Sequence, residues 1–263
     1  PPYLYVKGTI CKEDSNALAV VGTRLPTQYG IAATEKICRE LAGCCGITIV
    51  SGMARGIDSA AHRGAIAAKG KTIAVLGSGI DVIYPSENKG LYKDIVSTGA
   101  VISEFPMGTP PLAANFPQRN RIISGLAMGV LVAEASLRSG SLITARLALD
   151  YGREVFAFPG SITSSRSKGT NKLIKDGAKL VEDTRDILEE LRIPYNAGTE
   201  ITSSERLSAE EEKIMNLLDE PCVIDSIIQK TGLPASKVSS ILLNMELKGL
   251  IQQQAGKQFM RRI

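Results

Sequence analysis

Short, uninterrupted apolar segments alternate along most of the chain with stretches whose apolar residues recur at helical spacing. The apolar segments are residues 18–21, 47–50, 72–76, 100–103, 130–133, 155–158 and 179–181. The helical stretches are residues 29–42, 58–68, 89–97, 122–126, 142–149, 171–175 and 184–191. Continuously apolar strands that alternate with helices along the chain are typical of a parallel sheet buried on both faces. The pattern predicts an α/β fold with a Rossmann-like, doubly wound, mostly parallel sheet.

A different pattern follows residue 192. Residues 193–206 are polar and rich in Ser, Thr and Glu, which predicts a linker. Helical patterns at residues 208–218, 224–230 and 235–248 precede segments 250–254 and 258–261, which can pair as a hairpin. Three helices and a hairpin predict a small winged-helix domain over residues 207–263, after a Rossmann-like domain over residues 1–192.

The third helix of a winged-helix domain usually enters the major groove of DNA. The predicted third helix has a mostly uncharged exposed face, made of Ser236, Lys237, Ser239, Ser240, Asn244 and Lys248. Duplex DNA and a protein partner therefore both remain open for this domain.

Composition narrows the function classes. The chain has 263 residues with 31 Lys+Arg against 27 Asp+Glu, so any nucleic-acid surface must be local. Its five cysteines form no Cys-x-x-Cys pair, which argues against a zinc site and a disulfide framework and for reduced thiols in the cytoplasm. His62 is the one histidine, so a histidine-rich metal site is excluded. No apolar run approaches 20 residues, and no membrane span is expected.

Residues that follow the predicted strands break the apolar pattern. Ligands bind at the carboxyl edge of such sheets, where these residues converge. They are Thr23, Arg24, Gly52, Arg55, Gly77, Ser78, Gly79, Glu104, Glu134, Ser139, Gly140 and Ser141. Ser141 opens a predicted helix whose free amide groups could hold a phosphate, although it could also be a simple helix cap.

The segment 115–125, Asn-Phe-Pro-Gln-Arg-Asn-Arg-Ile-Ile-Ser-Gly, lies after the fourth strand of this series. Arg119 and Arg121 could bind phosphates, with Asn120 between them, and Phe116 could stack a base. In the alternative interpretation, the segment is a surface turn before a helix that begins near Ile122, and Phe116 packs in the core. Arg121 could also pair with Glu104 or Glu134.

Familiar nucleotide signatures are not met. The segment 77–82 has the first two glycines of Gly-x-Gly-x-x-Gly, but Val82 replaces the third. The triplet Gly70-Lys71-Thr72 matches the last three residues of a Walker A phosphate loop. However, it precedes a predicted strand, whereas a phosphate loop follows a strand and begins a helix. We therefore predict no ATP or dinucleotide cofactor.

Several ordered motifs together resemble the DNA-processing protein A family (DprA, also called Smf). The matching segments are Val21-Gly22-Thr23-Arg24, residues 51–62, residues 116–126, Glu134-Ala135, residues 139–145 and Phe158-Pro159-Gly160. The resemblance implies a Rossmann-like domain that binds single-stranded DNA, forms a homodimer and loads the RecA recombinase during natural transformation.

The resemblance also implies residue roles. Arg24, with Thr23 in place of the usual serine, belongs to the DNA pocket, and Phe116 and residues 119–121 lie beside it. Gly52 and residues 139–141 correspond to backbone that approaches phosphates. The dimer interface is expected at Leu173, Ile174 and Leu180, which are equally suitable core residues.

Reasoning from the residues leads to the same hypothesis. Arg24, Arg119 and Arg121 would hold phosphates, supported by backbone amides near Gly52 and Gly140, while Phe116 stacks a base. No residue set forms a catalytic constellation, so we predict no enzymatic turnover. A phosphoribohydrolase-like nucleotide enzyme is one alternative, although its Pro-Gly-Gly-x-Gly-Thr-x-x-Glu motif is absent. A ligand-sensing winged-helix regulator is the other.

Overall fold

The computed structural model describes residues 1–194, 208–218, 222–247, 250–254 and 258–261. The chain divides into two compact units, Pro1–Ile201 and Thr202–Ile263. The predicted linker lies almost wholly outside the described residues, so its bounds remain a prediction.

One eight-stranded sheet organises the first unit, in the order β1-β5-β4-β3-β2-β6-β7-β8. Its strands are β1 (Tyr5–Gly8), β2 (Ala17–Val21), β3 (Thr48–Ser51), β4 (Thr72–Val75), β5 (Ala100–Ser103), β6 (Gly129–Val132), β7 (Glu154–Ala157) and β8 (Lys179–Leu180). All neighbours pair in parallel except the edge strand β1, which runs antiparallel to β5. The predicted α/β class and doubly wound sheet are confirmed.

Helices cover both faces of this sheet. They are α1 (Gln28–Cys44), α2 (Ile57–Ala67), α3 (Lys89–Thr98), α4 (Asn115–Gly125), α5 (Ser141–Asp150), α6 (Lys168–Lys175) and α7 (Thr184–Glu190). Leu18 and Val20 of β2 point into a core with α1, α2 and α7. Ala17, Ala19 and Val21 point into the opposite core with α4 and α5. This burial on both faces explains why the strands read as continuous apolar runs.

Strand order reverses at the centre of the sheet. From β2 the chain proceeds outward to β3, β4 and β5, and α4 then returns it to β6 on the other side of β2. The carboxyl ends of β2 and β6 consequently flank the switch point at which doubly wound sheets bind ligands.

Helix α4 begins earlier than the sequence suggested. The segment 115–121 is the first part of a helix that starts at Asn115, so the expectation of a surface turn before Ile122 is wrong. Pro117 is tolerated because it lies in the first turn, where an amide hydrogen has no helical acceptor. The arginines of this segment are therefore fixed on a helix.

The second unit is a winged-helix domain, as predicted. It contains α8 (Ala209–Met215), β9 (Cys222–Val223), α9 (Ile224–Thr231), α10 (Ala235–Leu247), β10 (Ile251–Gln254) and β11 (Gln258–Arg261). The three strands form an antiparallel sheet in the order β10-β11-β9, and β9 was not predicted. Lys248 and the turn of the hairpin lie outside the described residues.

This unit has a hydrophobic core of its own, which includes Ile214, Leu218, Ile227, Val238, Leu242 and Phe259. A capping box begins α8: the Ser208 hydroxyl accepts from the Glu211 amide, and the Glu211 carboxylate accepts from the Ser208 amide. Among the helices of the described residues, none is long and apolar enough to cross a lipid bilayer.

Candidate nucleic-acid interface

A small open cleft lies at the carboxyl edge of the sheet. Loops after β2, β3 and β4 and the first turn of α4 supply its walls. The lining residues are Arg24, Gly52, Ala54, Arg55, Tyr84, Pro85 and Phe116. Four of the residues predicted to contact DNA therefore meet in one place, as expected for loops that share a sheet edge.

Phe116 forms the aromatic wall of the cleft. Its partly buried ring rests on Gly77, where an added Cβ would come within 2.8 Å of the ring. The guanidinium carbon of Arg24 lies 5.4 Å from the ring centroid, and the Tyr84 ring lies 5.7 Å away at 43°. Two aromatic rings beside a cation form a surface on which a nucleobase can stack without sequence readout.

Arg24 is the most available cation of the cleft. It is exposed, and no carboxylate of the described residues lies within ion-pair distance of it. Neighbouring Thr23 holds the loop: its amide donates to the Glu134 carbonyl at 2.8 Å, and its hydroxyl accepts from the Leu25 amide at 3.2 Å. Arg24 is thus presented on a braced loop with its donors free for an anion.

Arg55 lies on the opposite rim and pairs with Glu87. Both side chains are about half exposed, 58% and 49% respectively. Since exposed ion pairs contribute little free energy, this pair can open when a phosphate competes for the guanidinium.

Arg119 is buried, and the prediction that it holds a phosphate needs correction. Only 4% of its surface is exposed, and Nη1 donates to the carbonyls of Gly52, at 2.9 Å, and Val75. Burial lowers the pKa of Arg119 to about 10, so the side chain remains charged at neutral pH. Arg119 positions the loops after β3 and β4 beneath the cleft and does not present its charge to solvent.

Arg119 and Asp58 both approach Gly52 so closely that only glycine fits there. The Gly52 amide was predicted to bind a phosphate, but it is already engaged within the protein. That amide donates to Asp58 Oδ2 at 3.2 Å, as does the Ala54 amide at 3.3 Å. An added Cβ at Gly52 would lie 2.6 Å from Arg119 Nη2 and 2.7 Å from Asp58 Oδ2. Burial raises the pKa of Asp58, while the Arg119 charge and these amides oppose that shift.

The other two polar residues of the α4 motif are engaged within the protein. Arg121 pairs with Glu104, one of the two partners considered from the sequence. Asn120 is partly buried, and its side-chain oxygen accepts from Arg119 Nε at 3.2 Å. Neither residue lines the cleft.

The turn Ser139–Ser141 lies outside the cleft, on the loop after β6. Its two serine hydroxyl oxygens lie 2.8 Å apart, and α5 begins at Ser141. Gly140 is exposed, and a Cβ added there would meet nothing within 4 Å.

Glu134 fills the place where a Rossmann-type nucleotide phosphate would sit. Its buried carboxylate accepts from the Thr27 amide at 2.8 Å and from the Thr27 hydroxyl at 2.6 Å, at the start of α1. The first helix after the central strand usually receives the pyrophosphate with its free amides. Here the protein's own carboxylate lies against the start of that helix, where an added Cβ at Gly30 would come within 2.6 Å of it, and it repels an incoming anion.

Tyr84 is the principal cleft residue that sequence reasoning missed. It is 40% exposed and lies in the long connection between β4 and α3. Its position in a loop after a strand could have suggested a role in the site. The sequence does not show, however, that Tyr84 lies beside Phe116 in the folded protein. Asp58 was similarly recognised only as the start of a helix.

Taken together, fold and site define a two-domain protein in which a Rossmann-like sheet carries an open cationic and aromatic cleft in place of a nucleotide site, followed by a winged helix. The sequence profile of DNA recombination-mediator protein A matches residues 1–192, and that of the DprA winged helix domain matches residues 200–257. The chain belongs to this DNA-processing family, which confirms the resemblance predicted from the motifs.

Relatives match over most of the chain. Protein Smf of Escherichia coli is 44% identical over 260 residues, which cover 95% of this chain and 69% of the relative. DNA processing protein DprA of Streptococcus pneumoniae is 48% identical over 190 residues, 72% of this chain and 67% of the relative. The chain thus spans about two thirds of the length of these relatives.

Solved structures agree with the fold. The X-ray structure of the Streptococcus pneumoniae protein has a TM-score of 0.68 over 71% of this chain and 65% of its own. DNA processing protein A from Helicobacter pylori, solved for its single-stranded DNA binding mode, is 33% identical with a TM-score of 0.66 over 73% of this chain and 87% of its own.

Proposed function

We propose that this protein is a cytoplasmic single-stranded DNA-binding mediator that protects incoming DNA and loads the RecA recombinase in natural transformation, without enzymatic turnover. The observation that carries the proposal is the exposed Arg24, which pairs with no carboxylate of the described residues and lies beside the Phe116–Tyr84 pair. The single-strand binding mode described for the Helicobacter pylori relative supports it.

The cleft has the chemistry that a sequence-tolerant single-strand site requires. Arg24 supplies a charge for the phosphate backbone, and Arg55 can add a second after releasing Glu87. Phe116 and Tyr84 supply ring faces that accept any base. The filled helix end at Glu134 disfavours the nucleotide-enzyme alternative, because a nucleotide phosphate would have to displace a buried carboxylate.

Two variants separate the charge from the stacking. We expect Arg24→Ala to weaken binding of a homopolymer oligonucleotide and to reduce the slope of log affinity against log salt by about 0.7, the value for one phosphate contact on a single strand. We expect Phe116→Leu to leave the slope unchanged and to weaken binding by about 1–3 kcal/mol, the contribution of stacking one base. Fluorescence anisotropy at several salt concentrations measures both.

Arg39→Ala is the matched control, because Arg39 is exposed on α1 and has no ion-pair partner among the described residues. Equal affinity of wild type and Arg24→Ala would contradict the cleft assignment. Tighter binding of duplex than of single strands would redirect attention to the winged helix. RecA loading is measured with the same variants, as ATP hydrolysis by RecA on strands coated with single-strand binding protein.

A further inference from the structure

The loops after β6 and β7, and the helices that follow them, carry several positive charges. Residues 135–149 and 155–175 contain Arg138, Arg146, Arg166, Lys168, Lys172 and Lys175 and no Asp or Glu. Of the acids that flank these stretches, Glu134 is buried and accepts from Thr27, while Asp150, Glu154 and Asp176 lie at the end of α5, the start of β7 and the end of α6, at the opposite edge of the sheet. The exposed charge of these loops at the carboxyl edge is therefore positive.

Three of these cations are exposed near the strand ends: Arg138 on the loop after β6, Arg166 on the loop after β7, and Lys168 at the start of α6. None of the three pairs with a carboxylate of the described residues. We call Arg138, Arg166 and Lys168 the β6–β7 basic surface.

Backbone hydrogen bonds connect this surface to the cleft. The Thr23 amide, next to Arg24, donates to the Glu134 carbonyl at 2.8 Å and joins the β2 and β6 loops. The following residue, Ala135, donates to the Arg166 carbonyl at 2.7 Å and accepts from the Gly169 amide at 2.8 Å. The loops of β2, β6 and β7 thus adjoin in order along one edge, and two strand spacings amount to about 10 Å.

The β7 loop is held in place. Asn171 of α6 donates to the Gly160 carbonyl at 2.9 Å and accepts from its amide at 3.1 Å. Ser167 packs so close to Gly160 that an added Cβ would lie 2.2 Å from the hydroxyl. Arg166 and Lys168 are therefore presented on a braced loop, beside the exposed Ile162 at its tip.

The other side of the cleft is chemically different. Asp81 and Glu87 occupy the connection after β4, and Glu104 follows β5. Glu87 and Glu104 pair with Arg55 and Arg121, and Asp81 is exposed, so this side carries little net positive charge. The exposed ionisable side chains of the β6 and β7 loops, by contrast, are cations, since Glu134 is buried. A bound strand that leaves the cleft consequently has one favourable direction along the edge.

We propose that the single strand held in the cleft continues across the β6–β7 basic surface, where Arg138, Arg166 and Lys168 bind its phosphates. This inference rests on the proposed function and extends the binding site from the Phe116 cleft to three sheet loops. It predicts a footprint longer than the cleft can accommodate and a strand that leaves the cleft toward the β6 and β7 loops.

A comparison of oligonucleotide lengths tests the extension. Homopolymers of about 4 and about 16 nucleotides span the usual range of site sizes for single-strand binders. For the full chain with Arg138→Gln, Arg166→Gln and Lys168→Gln, we expect long-strand affinity to fall at least about tenfold and the salt slope to fall by about 2, at about 0.7 for each of three contacts. Short-strand affinity should match wild type. Substitution of Arg166 preserves the bond to Ala135, which uses the backbone carbonyl.

The matched control combines Arg39→Gln, Lys12→Gln and Arg153→Gln, which removes the same charges from exposed positions outside these loops. It should bind both lengths like wild type. If the loop variant binds the long strand as tightly as wild type, while Arg24→Ala still weakens binding, the extension is overturned and the cleft stands. An equal loss in loop variant and control would also overturn it. Failure of wild type to bind either length would reject the proposed function itself.

Discussion

Two arginines that the sequence does not distinguish have opposite roles at the residue scale. Arg24 is exposed and unpaired by carboxylates of the described residues, whereas Arg119 is 4% exposed and donates to two backbone carbonyls. Both guanidinium groups lie within 6 Å of the Phe116 ring, at 5.4 and 5.9 Å. Arg24 faces solvent, whereas Arg119 supports the loops beneath the cleft. We therefore expect a substitution at Arg119 to disrupt the structure of the cleft as well as to remove a charge.

His62 provides a pH prediction at the same scale. It is fully buried, its Nδ1 lies 2.7 Å from the Thr72 hydroxyl, and burial, aided by the Arg119 charge, lowers its pKa to about 3. Since the unfolded-state pKa is about 6.5, the unfolded chain binds the proton more readily, and the stabilisation is complete above pH 6.5 and is lost as pH falls. Because of His62, we expect the free energy of unfolding to fall by about 2 kcal/mol as the pH is lowered from about 7.5 to about 5.

Urea unfolding of wild type and His62→Gln across that pH range measures the difference in slope. Because the chain has one histidine, a single imidazole proton signal in the NMR spectrum reports the same titration. A midpoint near pH 6.5 in the folded protein would contradict the assignment.

At the element scale, the loops after the strands differ in how much they depend on their glycines. Gly52 lies between Arg119 and Asp58, where a Cβ has no room, whereas Gly140 at the start of α5 has open space and helical backbone angles. The α4 helix brings Arg119 and Phe116 to the strand ends together, so the packing at Gly52 and the shape of the cleft are coupled.

We expect Gly52→Ala to lower the free energy of unfolding by about 1–3 kcal/mol through overpacking and to weaken single-strand binding with it. Gly140→Ala should change stability by no more than about 0.5 kcal/mol, as surface substitutions usually do. Denaturant unfolding and anisotropy on both variants provide the comparison. A stable Gly52→Ala protein with intact binding would show that the loops can shift without affecting the site.

At the scale of the whole molecule, the homodimer that the family resemblance implies was assigned to residues near the β8 edge of the sheet. Leu173 packs against the core formed with α4 and α5, which leaves Ile174, partly buried, and Leu180, 37% exposed, as the better contacts. The core role considered for Leu173 from the sequence thus receives support, and the interface itself remains a proposal.

Leu180→Glu should convert a dimer into monomers in sedimentation equilibrium, because a carboxylate at an apolar interface loses its hydration without a partner. Leu149→Glu, at a residue of α5 that is 61% exposed, is the control and should leave the assembly unchanged. A dimer that survives Leu180→Glu would place the interface elsewhere.

The sequence by itself determined the doubly wound sheet, the winged-helix unit and the edge at which the site lies. These follow from local periodicity and from the turn residues after each strand, which are properties of neighbours along the chain. The cleft residues Arg24, Gly52, Arg55 and Phe116 were recognised for the same reason.

Only the tertiary structure decided how the polar residues divide between binding and support. Whether Arg119 reaches solvent depends on which side of α4 faces β3 and β4. The carboxylate at the start of α1 depends on a contact between Glu134 and Thr27, which are 107 residues apart in sequence. Tyr84 likewise reaches Phe116 only through folding. Burial and pairing are set by contacts between distant segments, and a single sequence records neither.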